Sequence, residues 1–268
     1  MVSTSISSFL RRDRPKCDFT SVTEQPGIAT TRESSSMLRS RYSLAADASE
    51  GKEVLEIACG AGMGLGLLAK RAKRLVAGDV SQSLLRRAFE HYGKRAAFVQ
   101  LDAHALPFRD GSFDLILCFE AIYYMREPLR FLRECRRVLR PAGSLLMCSA
   151  NPECPGFNRS PYSNRYFRAD ELRLILSESQ FNPSIYGAFP FSAETFRDKL
   201  VEVIRRIAAR FRLFPRSMKG KEFLKRLFYG QLVRIQNELR DLAEEPPLVL
   251  YPSTQPNCKI LFAIARRC

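Results

Sequence analysis

The chain has 268 residues, 46% hydrophobic and 26% charged, which is the balance of a globular protein able to bury a core. That length suits one α/β domain with an appendage, or two small domains. A formal charge of +15 calls for a surface that meets anions: nucleic acid, an acidic membrane face or a phosphorylated substrate. The eight cysteines include no CxxC pair and no Cys/His spacing suited to zinc, so a reduced, intracellular protein without a metal site is expected. The segment from Met1 to Lys16 lacks the apolar core of a signal peptide, and no stretch approaches a membrane span.

Residues 1–36, rich in Ser, Thr and Arg, are expected to be a flexible N-terminal segment. From Met37 the apolar stripe Met37, Leu38, Tyr42 and Ala45 predicts a helix. Strand and helix signals then alternate. Strands are predicted at Glu53–Ala58, Arg74–Asp79, Ala96–Leu101, Phe113–Phe119 and Ser144–Ser149, with helices at Gly64–Ala72, Ser81–Gly93 and Pro128–Leu139. Ser81 is a natural N-cap, and Pro141 with Gly143 separates the third helix from the fifth strand. Such alternation implies a parallel sheet covered on both faces. Beyond Asn151 come a loop, a helix at Asp170–Ser179 and strands at Pro183–Ala188 and Lys259–Ala265. Between those strands, roughly Ser192 to Ala243 reads as helices in which Arg and Lys outnumber Asp and Glu.

The chemistry concentrates in Val54-Leu55-Glu56-Ile57-Ala58-Cys59-Gly60-Ala61-Gly62-Met63-Gly64. An apolar run ending in glycines reads as a strand entering a tight turn before a helix. Asp79, closing the next apolar run, sits where a ribose diol needs an acceptor. A dinucleotide fingerprint would carry a third glycine, but Leu65 or Leu67 stands there, depending on the register. What remains is E-x-x-x-G-x-G. A pyrophosphate would be repelled by the acid, whereas an amino-acid tail suits the site. Glycine amides can meet its carboxylate and a nearby acid its ammonium.

These residues, with Val76–Val80, Leu101–Phe108, Ser112–Ile116 and Phe131–Gly143 in the same order, resemble the class I S-adenosylmethionine-dependent methyltransferases. That broad family includes the ubiquinone and menaquinone C-methyltransferases, and the likeness runs from about Met37 to Pro190. The resemblance implies an α/β fold: a Rossmann-like seven-stranded mostly parallel sheet of order 3-2-1-4-5-7-6. The core would be 37–190 plus 257–268, with 191–256 a basic helical insertion between the last two strands. It implies S-adenosylmethionine as cofactor and S-adenosylhomocysteine as product. Glu56, Ala58, Gly60 and Gly62 would line the methionine and ribose, Asp79 would accept both ribose hydroxyls, and Val80 would pack on the adenine. Asp102 and Ala103 would meet the adenine edge and ring, Phe119 would lie beside the sulfonium, and Arg41 with Tyr42 would close over the cofactor. Arg41 and Tyr42 also read simply as a surface charge and a core aromatic.

The expected reaction is in-line methyl displacement at the carboxyl end of the sheet. Glu120, Tyr123, Tyr124 and His104 are the polar side chains nearest the expected methyl position. Glu120 is the first candidate for a base, or else an acid that binds an Arg or orients a lid. His104 reads as a rim residue and His91 as surface. The insertion leaves the sheet at its carboxyl end, so it is a candidate lid, with Phe189, Phe191, Phe196 and Tyr229 as apolar contacts. Its arginines could hold a phosphorylated or lipid-linked substrate, face an anionic membrane surface, or be solvated. RNA is not expected, because the basic residues are not interleaved with stacking aromatics. The loop Ser160–Tyr166 also resembles small-molecule methyltransferases of bacteria. The expected activity is methylation of a small-molecule acceptor, at oxygen on a sugar, glycolipid or secondary metabolite. Methylation at carbon or nitrogen of a quinone-like or indole-like ring, or cofactor binding without catalysis, remains open. The expected location is cytoplasmic, or peripheral at a membrane; the oligomeric state stays open.

Overall fold

The computed structural model describes residues 19–191, 232–239, 248–252 and 257–268. In chain order it contains β1 (Ala29–Thr30), α1 (Arg32–Ala48), β2 (Glu53–Ile57), α2 (Leu65–Arg71), β3 (Arg74–Asp79), α3 (Gln82–Tyr92), β4 (Ala97–Gln100), β5 (Phe113–Phe119), α4 (Pro128–Val138), β6 (Leu139–Ala150), α5 (Ala169–Glu178), β7 (Phe181–Pro190), β8 (Val233–Arg234), β9 (Tyr251–Pro252) and β10 (Cys258–Arg267). The main sheet runs β4-β3-β2-β5-β6-β10-β7-β9. The pairs among β4, β3, β2, β5 and β6 are parallel, and β10 is antiparallel to both its neighbours. The expected order of seven strands is therefore present. Among the described residues the count is corrected to eight, because Tyr251 and Pro252 add an edge strand on Gly187 and Tyr186. Two residues are too few for a period-two pattern, and a proline is well tolerated in an edge strand.

Residues alternate across the sheet and bury two apolar layers. On one face Val54, Leu115 and Leu117 pack with Leu38 and Tyr42 of α1, Leu65 and Leu68 of α2, and Leu85 and Ala88 of α3. On the other, Leu55, Ile57 and Ile116 pack with Phe131, Leu132 and Cys135 of α4 and with Leu172 and Leu176 of α5. Cys118 and Cys148, expected as small buried hydrophobes, lie in these layers.

Local signals set most boundaries. The Ser81 side chain accepts from the Leu84 amide, and Pro128 opens α4, where a missing N–H costs nothing. Two boundaries move. Helix α1 starts at Arg32 rather than Met37, because the Thr31 hydroxyl caps it by accepting from the Ser34 amide. Strand β6 starts at Leu139 directly after α4, with Ala142 taking a positive φ of 62° beside a register shift opposite Phe113 and Leu115. The described part of the N-terminal segment expected to be flexible, 19–36, carries a short 3-10 turn, β1 and the first turn of α1. Strand β1 pairs with β8, which falls inside the span read as helical insertion. The rest of that span, 192–231, 240–247 and 253–256, including Phe196, Tyr229 and the helices expected there, lies outside the described residues. Among the described residues no helix is long and apolar enough to cross a membrane.

Candidate active site

At the end of β2 the chain turns through Ala58, Gly60 and Gly62, all at positive φ (59°, 57° and 82°). A Cβ on Gly62 would also meet Tyr92 and Ala88 of α3 at 3.0 and 3.1 Å, so the turn needs glycine there twice over. The Cys59 amide donates to the Gly78 carbonyl (3.1 Å), which ties the turn to β3. Asp79, at the end of β3, closes the arrangement. Its Oδ2 accepts from the Gly60 amide at 2.9 Å and its Oδ1 from the Ser81 amide at 2.8 Å. Burial pushes its carboxyl pKa up, against the lowering effect of those amides. Each carboxylate oxygen has two lone pairs, so both can still accept from a vicinal diol.

Glu56 points from β2 toward α1, on the face opposite Leu55 and Ile57. It is 1% exposed, and its Oε1 accepts from the Tyr42 hydroxyl at 2.6 Å. Burial, opposed by that bond and by Arg41, raises its carboxyl pKa to about 7. The second oxygen, Oε2, is buried without a partner among the described residues. An orphaned buried carboxylate oxygen is costly unless a ligand completes it. Next to glycine amides, its complement is a cationic donor such as an ammonium. The residues present thus fit an adenosyl amino acid: a diol at Asp79, an ammonium at Glu56 and close backbone approach at Gly60 and Gly62.

Phe119, the last residue of β5, adjoins a second group of polar residues. Phe119 meets the Tyr42 ring edge-on at 5.4 Å between centroids, and the Arg41 guanidinium lies 5.9 Å from both rings. Glu120 follows at a positive φ of 52°. Its Oε2 accepts from the Tyr123 hydroxyl at 3.0 Å, Oε1 lies 3.8 Å from Arg41 and 3.9 Å from the Cys148 thiol, and the Ala150 backbone also hydrogen-bonds the carboxylate. Burial raises the Glu120 carboxyl pKa, with Arg41 and Tyr123 opposing. Tyr123 stacks on Tyr166 (4.4 Å, 22°), and the Tyr124 hydroxyl donates to Ser160 Oγ at 2.8 Å.

The expected residues fall in two sets. Glu56, Ala58, Gly60, Gly62, Asp79 and the half-buried Val80 converge at the ends of β2 and β3; Phe119, Glu120 and Tyr123 follow β5 with Arg41 beside them. The Leu101 amide donates to the Asp79 carbonyl (3.0 Å), which brings Asp102 and the buried Ala103 to the rim of the first set. Asp102 Oδ1 is taken by the His104 amide (2.9 Å) and ring (2.7 Å), so His104 belongs to this rim and not to the Glu120 group. Phe189 packs against the core layer of α1. The sequence reading missed Thr23 and Glu24. The Thr23 methyl lies 2.8 Å from where a Cβ on Gly60 would be, and Glu24 accepts from Arg41 at 3.3 Å. No periodicity in a Ser/Thr-rich segment announces such contacts. It also missed Tyr166 and Ser160 as neighbours of Tyr123 and Tyr124, since only the folded loop brings them there.

Residues 55–147 match the family model described as a methyltransferase domain. A probable S-adenosylmethionine-dependent methyltransferase of Mycobacterium tuberculosis is 33% identical over 134 residues, 48% of this chain and 48% of that protein. A demethylmenaquinone methyltransferase of Renibacterium salmoninarum is 33% identical over 151 residues, 55% of this chain and 60% of that one. The chain thus spans about half the length of the curated relatives it matches. In fold it is similar to the YcgJ protein from a Bacillus, with a TM-score of 0.56 at 18% identity over 85% of this chain and 97% of the other. In motif order, sheet topology and these matches, the chain is similar to S-adenosylmethionine-dependent methyltransferases, and its residues 55–147 carry the methyltransferase-domain match.

Proposed function

We propose that the protein transfers a methyl group from S-adenosylmethionine to a hydroxyl of a small-molecule acceptor, a sugar, glycolipid or secondary metabolite. One observation carries this reading: the orphaned Glu56 oxygen and the Asp79–Gly60 turn lie at the ends of β2 and β3, and Glu120 with Tyr123 follows the adjoining parallel strand β5. Glu56 would hold the ammonium, Gly60 and Gly62 the carboxylate, Asp79 the ribose diol, Val80 and Ala103 the adenine faces, and Asp102 its amino edge. The bound cofactor supplies a sulfonium-borne methyl group that an oxygen nucleophile can take directly. Arg41, Tyr42 and Phe119 would fix the approach and exclude water, which is where most of the acceleration of such a displacement comes from. Glu120 is the side chain suited to take the hydroxyl proton, with Tyr123 steadying its Oε2 and Arg41 near its Oε1. Tyr124 would line the acceptor side. The raised Glu120 pKa means that activity should climb with pH beyond the ordinary carboxylate range, as the base ionises.

The test is Glu120→Gln. Turnover should fall by about 10²-fold or more with the affinity for cofactor unchanged; full activity would remove Glu120 as the base. A broad acceptor screen that finds cofactor binding but no turnover would support a cofactor-binding partner protein instead. The stacked Tyr123 and Tyr166 rings favour one further reading, methylation at carbon or nitrogen of a planar ring. The demethylmenaquinone methyltransferase among the relatives points the same way. Faster turnover of quinols than of sugars would select it.

A further inference from the structure

Glu56, Gly60, Gly62 and Asp79 are all buried, with Asp79 6% exposed, so a molecule of cofactor size can reach them only if something moves. Two segments far apart in sequence cover them. Residues 19–30 cross the glycine turn with Thr23 against Gly60, and the Gln25 side chain, itself buried, takes a hydrogen bond from Arg87 of α3. Residues 232–239 lie farther along the same turn: the Leu239 amide donates to the Met63 carbonyl (3.3 Å), and Glu238 fills the space where Gly66 has no side chain. The two segments pair as β1 and β8, with Ala29 opposite Arg234 and Thr30 opposite Val233.

We propose that these segments form one two-part clasp, closed where β1 pairs with β8, which opens by parting that two-residue pair to admit and release the cofactor. This rests on the cofactor reading given above. The latch contacts are polar, each joining a more exposed group to a mostly buried one: Glu24 with Arg41 (3.3 Å), and Arg95 (2.9 Å) and His91 (3.2 Å) with Glu238. β1 and β8 are two residues each, so few ladder bonds have to break for the segments to part locally without unfolding the sheet. Gly27, at φ +81°, allows a bend between the latch residues and β1. Ile235 and Leu239, buried in the α1 core layer, favour reseating. Because Glu24 also holds Arg41, opening the clasp frees the guanidinium that faces Glu120, linking cofactor exchange to the acceptor side.

A disulfide across the register pair tests this. Antiparallel partners lie within bridging distance, so Ala29→Cys with Arg234→Cys should cross-link on oxidation. Association and dissociation of S-adenosylmethionine are then expected to slow by at least about tenfold, recovering on reduction, while wild type put through the same oxidation is unaffected. Cofactor exchange in the cross-linked protein as fast as in its dithiol form would overturn the clasp, as would failure of the bridge to form. In a separate variant, Glu238→Gln, which loosens one latch, exchange should accelerate about two- to fivefold; an unchanged rate argues against the clasp. If wild type binds no S-adenosylmethionine at all, the cofactor reading itself falls. A cofactor that binds, is weakened by Asp79→Ala and exchanges independently of the bridge overturns the clasp alone.

Discussion

Glu56 and Asp79 are the residues whose burial makes the strongest demands. An unfolded Glu56 would titrate near 4.5, and in the folded chain without cofactor near 7. Between those values the native state holds a proton that the unfolded chain has released. The contribution to stability is therefore complete below about pH 4.5 and is lost as pH rises through about 7, by about 3 kcal/mol in all. The raised Asp79 pKa acts in the same direction. Denaturant unfolding at pH 5 and pH 8 should show the loss, and Glu56→Gln should flatten it. A cofactor ammonium favours the ionised carboxylate, so binding near neutral pH should release a proton and tighten as pH rises. Calorimetry in buffers of different ionisation enthalpy measures that release. Asp79→Ala should weaken cofactor binding by about 1.5–3 kcal/mol, roughly ten- to hundredfold; unchanged affinity would remove Asp79 from the site.

At the scale of elements, α1 and α2 meet through one contact that size alone controls. A Cβ on Gly64, just before α2, would overlap the Tyr42 ring of α1. Gly64→Ala must displace the ring, its bond to Glu56 and its packing on Phe119. Unfolding midpoints should report a loss of about 1–3 kcal/mol, with cofactor affinity falling alongside. The elements were legible wherever caps and periodicity agreed, as at Ser81 of α3 and Pro128 of α4. They were less so where a side chain outside the apolar stripe decided the boundary. Thr31 caps α1 earlier than its stripe starts, and β6 begins at Leu139 because a positive-φ Ala142 lets the strand pass the Pro141–Gly143 signal. Strands β1, β8 and β9 have two residues each, and only their partners make them strands.

For the whole molecule, closing the clasp over bound cofactor should stabilise the fold by about 2.7 kcal/mol at a hundredfold excess over Kd. It should also protect 19–30 from proteolysis. If the basic insertion serves an anionic acceptor or membrane, neutralising Arg205, Arg206 and Arg210 should reduce turnover or binding to anionic phospholipid vesicles; survival of both would leave these arginines as solvated surface. By itself the sequence determined a parallel sheet covered on both faces and a site for an adenosyl amino acid, because these rest on local patterns: alternating apolar runs, the E-x-x-x-G-x-G turn and a carboxylate at the end of the next strand. The sheet order came with the resemblance those motifs carry. Only the tertiary structure decided which partners these residues have. It set Tyr42 on Glu56, left one oxygen of that carboxylate unmet, moved His104 to Asp102, and laid Thr23 and Glu24 over the turn. Those contacts join residues whose separation along the chain carries no periodic signal; close packing around one buried site selects them.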